Sequence, residues 1–343
     1  MGSVERKKRF PALLLPLVLA LLFLERFTVI YGLNYTNYRQ VSSLRLKRIQ
    51  RHLDKINKPA VMTIESSDGD IIDCVHKRKQ PALDHPLLKN HKIQHAIAYT
   101  GTSQELYGAK ATINVWDPSI QLVNEFSLSQ IWVLSGSFDG SDLNSIEAGW
   151  QVSPELYGDS RPRLFTYWTS DSYQATGCYN LLCAGFVQSN SRIAIGAAIS
   201  PVSSYAGNQY DITILIWKDP KLGNWWMGFS DNTLVGYWPA ELFTHLADHA
   251  TMVEWGGEVV NSRANGQHTS TQMGSGHFAE DGFGKASYFR NLEIVDSDNS
   301  LSSAQAISIL AENTNCYNIK SSNNNEWGTY FYYGGPGKNP QCP

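Results

Sequence analysis

Between residues 210 and 217 the chain alternates with isoleucine at every second position, placing Ile212, Ile214 and Ile216 on one face and Asp211, Thr213, Leu215 and Trp217 on the other. A period of two is the signature of a strand with one buried face. From about residue 96 similar short runs recur between Gly, Pro, Asn and Asp, at 111–116, 130–134, 164–169, 193–199, 225–227 and 288–295. Many short strands at such spacing predict an all-β body, an antiparallel two-sheet β-sandwich. The one helix predicted in the body covers 239–249, with Pro239 in its first turn and Leu242, Phe243 and Leu246 inward.

Upstream the pattern differs. Val41, Leu44, Ile49, Leu53 and Ile56 recur at near-helical intervals until Asn57-Lys58-Pro59 stops the run. Residues 61–75 read as a hairpin turning at Asp68-Gly69, and 76–94 form a polar, Pro-broken segment. Residues 33–95 are therefore expected to be a small α+β appendage and 96–343 the body. Residues 1–32 read as an address: Arg6-Lys7-Lys8-Arg9 precedes an apolar stretch at 11–24 that is short for a bilayer span. The expectation is a cleaved signal peptide, no stable membrane insertion after its removal, and a product secreted to the extracellular space, with the vacuole as an alternative. The competing reading is an uncleaved anchor, because 27–31 adds further apolar residues.

Charge sharpens this division. Residues 33–95 carry 12 Lys and Arg against 6 Asp and Glu, whereas 96–343 carry 11 against 23, so a basic leader precedes an acidic body and the two should attract. No basic patch in the body suggests nucleic acid. The five cysteines, in a secreted chain, suggest two bridges and one left over. Cys178 and Cys183 enclose a tight loop, Cys316 with Cys342 would pin the C-terminal tail, and Cys74 is the odd one. With no CxxC and scattered histidines, neither metal nor cofactor is expected. Asn34 begins the one N-glycosylation sequon, and a monomer is expected.

The candidate chemistry lies in Ser145-Ile146-Glu147-Ala148-Gly149-Trp150 and Val253-Glu254-Trp255-Gly256-Gly257-Glu258-Val259. Each holds a carboxylate among apolar neighbours, where ionisation is resisted, and two glutamates with pKa values driven apart can share acid and base roles. On a strand Glu147 faces away from Ile146 and Ala148 and shares its side with Gly149, whose missing side chain leaves room for an approaching group. Glu254 and Glu258 share a face on an unbulged strand, but Gly256-Gly257 predicts a bulge or bend there. The bland alternative for both segments is a surface glutamate flanked by core residues. Trp150, beside the proposed site, could line an aromatic subsite, and Gln130 and Gln272 are candidate amide donors to a developing oxyanion. His245 and His249 lack the glutamate that a zinc-protease helix requires after the first histidine, and Gly136–Gly140 has Phe138 where a nucleophile elbow needs serine. A two-carboxylate glycoside hydrolase and a non-catalytic wall-binding module are the rivals to a peptidase that takes a peptide or protein substrate.

The chain resembles the plant neprosin-type glutamic peptidases, with an activation peptide ahead of a neprosin domain. The resemblance is carried by Asp68-Gly69-Asp70-Ile71-Ile72-Asp73-Cys74-Val75 and the run from Gln80 to His91 in the leader. In the body it is carried by Ile146-Glu147-Ala148-Gly149-Trp150-Gln151-Val152, Gly236-Tyr237-Trp238-Pro239, Trp255-Gly256-Gly257-Glu258 and the run from Thr271 to Phe278. It implies Glu147 and Glu258 as the catalytic pair, a bent concanavalin-like sandwich, an acid pH optimum, cleavage after proline, and bridges Cys178–Cys183 and Cys316–Cys342. It also implies that the chain's own propeptide acts as an intramolecular inhibitor. One departure stands out. Gln94 runs straight into His95, where similar relatives carry an intervening segment that includes a Cys-Pro and the expected region of activation cleavage.

Overall fold

The computed structural model describes 92–343, apart from Ser103, 139–141, 231–232 and 264–266, together with two short strands upstream. Those strands, β1 (Met62–Glu65) and β2 (Ile71–Cys74), pair antiparallel with Met62 opposite Cys74, as the predicted hairpin requires. The signal peptide, Asn34 and the helix expected at 38–56 lie outside the described residues.

The body is built from strands in two antiparallel sheets. In chain order they are β3 (Lys92–Thr100), β4 (Gly108–Asn114), β5 (Ser127–Ser135), β6 (Asn144–Val152), β7 (Arg163–Thr169), β8 (Val187–Gln188), β9 (Asp211–Lys218), β10 (Trp225–Phe229) and β11 (Thr233–Trp238). There follow β12 (Met252–Asn261), β13 (Ser287–Val295), β14 (Leu301–Ser303), β15 (Ile307–Ala311), β16 (Asn318–Asn324) and β17 (Gly328–Gly334). The first sheet has six strands in the order β15-β3-β12-β5-β6-β7, and the second runs β16-β17-β13-β4-β9-β10-β11-β8, with β14 beside β13. Strand β3 begins at Lys92, so the last residues assigned from sequence to the leader already belong to the first sheet.

Alternation decides which faces meet. Ile212, Ile214 and Ile216 on β9 are buried against Ile131 and Val133 of β5 and Ile146, Ala148 and Trp150 of β6, and this layer between the sheets is the main core. Area-proportional burial of side chains of this size supplies the dominant favourable term for such a fold. The opposite face of the first sheet packs a smaller set, Ile97, Leu128, Trp132, Leu134, Phe165 and Met252.

Two predicted elements differ. The helix expected at 239–249 is a single 3-10 turn, Ala240–Leu242, followed by turns. Asn144 accepts the backbone N–H groups of Thr244, His245 and Leu246 on its side-chain oxygen, which replaces helical bonding, while Phe243 and Leu246 still reach the core. Residues 193–199 form bends touching β7 through one bridge, Arg163 with Ala198, because Gly196 sits there with φ 86° and interrupts extension. Both bridges are present, Cys178–Cys183 and Cys316–Cys342. Among the described residues no helix is long and apolar enough to cross a membrane.

Candidate active site

The open face of the six-stranded sheet carries the chemistry, and strand register fixes which side chains share it. Leu128, Gln130 and Trp132 of β5 define three successive rows. In the Trp132 row stand Glu254 of β12 on one side and Glu147 of β6 on the other. The Gln130 row has Gly256 and Gly149, and the Leu128 row has Glu258 with His95 of β3 beyond it. Strand β12 pairs with both neighbours without a register shift, so no bulge forms at Gly256-Gly257 and both Glu254 and Glu258 face the groove.

The glycines serve the sheet rather than a ligand. A Cβ on Gly149 would run into the Ser129 carbonyl oxygen and come within 2.6 Å of the Gln130 Cα; one on Gly256, whose φ is 155°, would strike the Ala96 carbonyl. The room beside Glu147 is thus filled by the backbone of β5 at Ser129 and Gln130, while Gly256 admits the close approach of β3. Gly149→Ala is expected to destabilise the body by about 3 kcal/mol, since neighbouring backbone cannot move aside as a side chain could; the midpoint of urea unfolding measures it.

Glu147 is almost wholly enclosed. Its Oε1 accepts from Ser145 Oγ at 2.7 Å and from the Tyr173 phenol at 2.7 Å, and its Oε2 accepts from Gln130 Nε2 at 2.9 Å. Burial raises its pKa to about 7, the three donors oppose this, and the negative charge of Glu258 adds to it. The Oε1 of Gln130 is itself buried without a partner. Tyr173 reaches in from the loop after β7, where Ser172 and Tyr173 adopt left-handed φ of 58° and 62°. Asp171 holds that loop by accepting the backbone N–H groups of Gln174, Ala175 and Thr176, and Tyr173 stacks on Tyr167 at 5.8 Å.

Glu258 meets a cation. His95 Nε2 lies 3.4 Å from Glu258 Oε2, and His95 Nδ1 lies 2.6 Å from Glu312 Oε1. Burial works against the imidazolium, but the contacts to Glu258 and Glu312 outweigh it and lift the His95 pKa to about 10. Glu254 is also pushed up to about 7, by burial first and then by the other carboxylates, with His95 opposing. Beyond Leu134 and Met252 the groove ends in a cavity of about 530 Å³ that Phe138 and His245 also line.

The sequence-nominated residues divide. Glu147, Glu258 and Gln130 come together on one face. Trp150 does not: an even-numbered residue of β6, it points into the core between the sheets, fully buried, with its indole N–H on the Asn114 carbonyl. Gln272 is likewise elsewhere, its amide oxygen accepting the Ser119 N–H in a loop whose next residue, Met273, packs under Gly257 on the core side. The tryptophan that floors the groove is Trp132. Ser145 is within reach of sequence reasoning, since it lies two positions before Glu147 on the same strand face; Tyr173, His95 and Glu312 carry no local signal. The candidate histidine pair is separately occupied, His245 with Asp142 and His249 with Asp248. His268 has its ring close to the sulfurs of Cys316 and Cys342, but these are joined to each other and offer no thiolate.

Among solved structures, a scytalido-glutamic peptidase with a transition-state analogue inhibitor is similar at 12% identity, covering 71% of this chain and 98% of that one, with a TM-score of 0.40. SCP-B, a member of the Eqolisin family of peptidases in complex with the tripeptide Ala-Ile-His, is similar at 10% identity over 70% of this chain and 96% of its own, with a TM-score of 0.37. The neprosin family profile matches residues 123–336 and the neprosin activation-peptide profile residues 63–137. With the neprosin match spanning more than half of its length, the chain belongs to the neprosin family of glutamic peptidases.

Proposed function

We propose that this chain is a secreted acid endopeptidase that cuts peptide bonds after proline, with Glu147 and Glu258 acting on one water. The observation that carries the reading is the asymmetry of the pair. Glu147 is enclosed and holds its proton up to about pH 7, while Glu258 stands against an imidazolium at the open side. In this scheme Glu258 takes a proton from water as the water oxygen bonds to the carbonyl carbon, and Glu147 gives its proton to the carbonyl oxygen. Collapse of the tetrahedral intermediate breaks the C–N bond, the leaving nitrogen takes the proton from Glu258, a hydroxyl of the intermediate returns its proton to Glu147, and the carboxyl product leaves. The dyad titrates as a unit, with one proton shared in the active form.

Gln130 has a place in this cycle. When Glu147 is ionised, Gln130 Nε2 donates to Oε2. When Glu147 is protonated, half a turn of the amide presents the otherwise unpartnered Gln130 Oε1 as acceptor. The amide thus follows the proton.

The activation-peptide segment keeps the dyad from substrate until acid loosens it, as protonation removes the negative charge on the body that attracts a basic leader. The test is cleavage of proline-containing peptides by the full chain, before and after incubation at acid pH, beside a panel of oligosaccharides. Acid-dependent cleavage on the carboxyl side of proline is expected, with the mature start read by mass spectrometry. Hydrolysis of an oligosaccharide and of no peptide would end the reading.

A further inference from the structure

His95 and Glu312 take no part as acid or base in the scheme above, yet they are built into the same sheet. Ala311 of β15 pairs with Ala96 of β3, so Glu312, the next residue, stands beside His95, which pairs in turn with Glu258 of β12. Three side chains of one row, from β12, β3 and the residue that follows β15, are therefore linked end to end. Glu312 grips His95 twice, accepting its backbone N–H on Oε2 and meeting Nδ1 with Oε1. The ring edge also rests against Trp132, centroids 6.3 Å apart. A ring facing a carboxylate at each nitrogen is a donor at both, hence an imidazolium.

We propose that His95, clamped by Glu312, is a positioning residue for Glu258: the ring engages Oε2 and leaves Oε1 turned to the water in the groove. The proposal rests on the peptidase reading above. A glutamate side chain free to rotate presents either oxygen at a range of angles; a fixed cation at one oxygen selects one arrangement, and small misplacements of a reacting group are costly, as much as about 100-fold in rate. The titratable groups acting on the ring are Glu258 and Glu312, with Glu254 of β12 further along the same face and its proton held to about pH 7, while β5 offers the neutral Trp132 and Leu128. Glu147 acts on Glu254 from across β5. The carboxylates of Glu258 and Glu312, one at each ring nitrogen, keep the ring charged, so its hold on Glu258 persists wherever the dyad works.

The experiment compares acid-activated wild type with His95→Gln, Glu312→Gln and the double variant, using a fluorogenic proline-containing peptide across pH 3 to 8. His95→Gln is expected to lower kcat by about 100-fold with KM within about twofold, and to change the pH profile of kcat. Glu312→Gln acts in the same direction and more weakly. The double variant is no worse than His95→Gln, since the two residues work as one unit. Imidazole NMR of the folded full chain supplies a readout independent of turnover: the His95 titration falls toward the ordinary range in Glu258→Gln. A folded His95→Gln with unchanged kcat and pH profile, or a His95 titration indifferent to Glu258→Gln, overturns this inference alone. A wild-type chain that cleaves no peptide overturns the peptidase reading and this inference with it.

Discussion

Replacing Glu147 or Glu258 with glutamine is expected to lower kcat for peptide cleavage by about 10³-fold if the two act as proposed, the middle of the range for loss of a positioned general acid or base. Folding survives both changes. In Glu147→Gln the new amide oxygen still accepts from Ser145 and Tyr173, and its NH₂ finds the Gln130 Oε1 that is otherwise buried without a partner. Glu258→Gln keeps an oxygen for His95 at a partly exposed position where the substitution costs little. Glu254→Gln is the decisive comparison, because Glu254, not Glu258, shares the Trp132 row with Glu147. In the proposed scheme Glu254 serves only to set the field around the dyad, and its variant is expected to lose about tenfold or less. Steady-state kinetics on all three, beside thermal melting at the assay pH, checks this; a severe Glu254→Gln with a mild Glu258→Gln would reassign the second member of the pair.

Much of this architecture is legible in the alternation of the chain itself. The pattern at 210–217 specifies β9 and its buried face, and the parity of β6 places Glu147 opposite Ile146 and Ala148, both because a period of two is a local property of the pleat. The same parity argument removes Trp150 from the groove. It is three residues from Glu147, an odd separation, so closeness in sequence does not put it on the same face. The helix at 239–249 fails for a different reason: its apolar spacing is right for burial, but the backbone bonds go to the Asn144 side chain about a hundred residues away, which no local pattern reports. Gly256-Gly257 reads as a bulge because glycine usually marks one. The sheet instead needs Gly256 for close approach of β3, a tertiary cause. Tyr173, His95 and Glu312 escape for the same reason, since their meaning depends on which strands become neighbours. The Gln94–His95 junction falls inside β3, immediately before the residue whose ring faces Glu258.

Activity and stability should both decline as pH rises through neutrality, and by the same protons. Glu147 and Glu254 have folded-state pKa values of about 7 against 4.5 for the free group, so between those values the folded chain binds protons the unfolded chain has released. The stability linked to them is fully present below about pH 4.5 and is lost as pH rises through 7, by about 3 kcal/mol for a carboxyl as enclosed as Glu147. His95 extends the trend, its contribution present below 6.5 and lost as pH rises through about 10. Asp171 and Glu312 act with the opposite sign: their pKa values are lowered, so their contribution is present above the unfolded value and fails as pH falls through the folded one. Calorimetry from pH 3 to 9 should therefore find a Tm maximum on the acid side of neutrality and a fall beyond it, and in Glu147→Gln the fall between pH 5 and 8 should shrink. The alkaline limb of kcat should track the same midpoint, because in the proposed scheme the proton that leaves Glu147 is the one the carbonyl oxygen needs. A protein whose activity held level through pH 8 while Glu147→Gln melted with an unchanged pH dependence would show that the enclosed carboxyl neither carries the catalytic proton nor burdens the fold when it ionises.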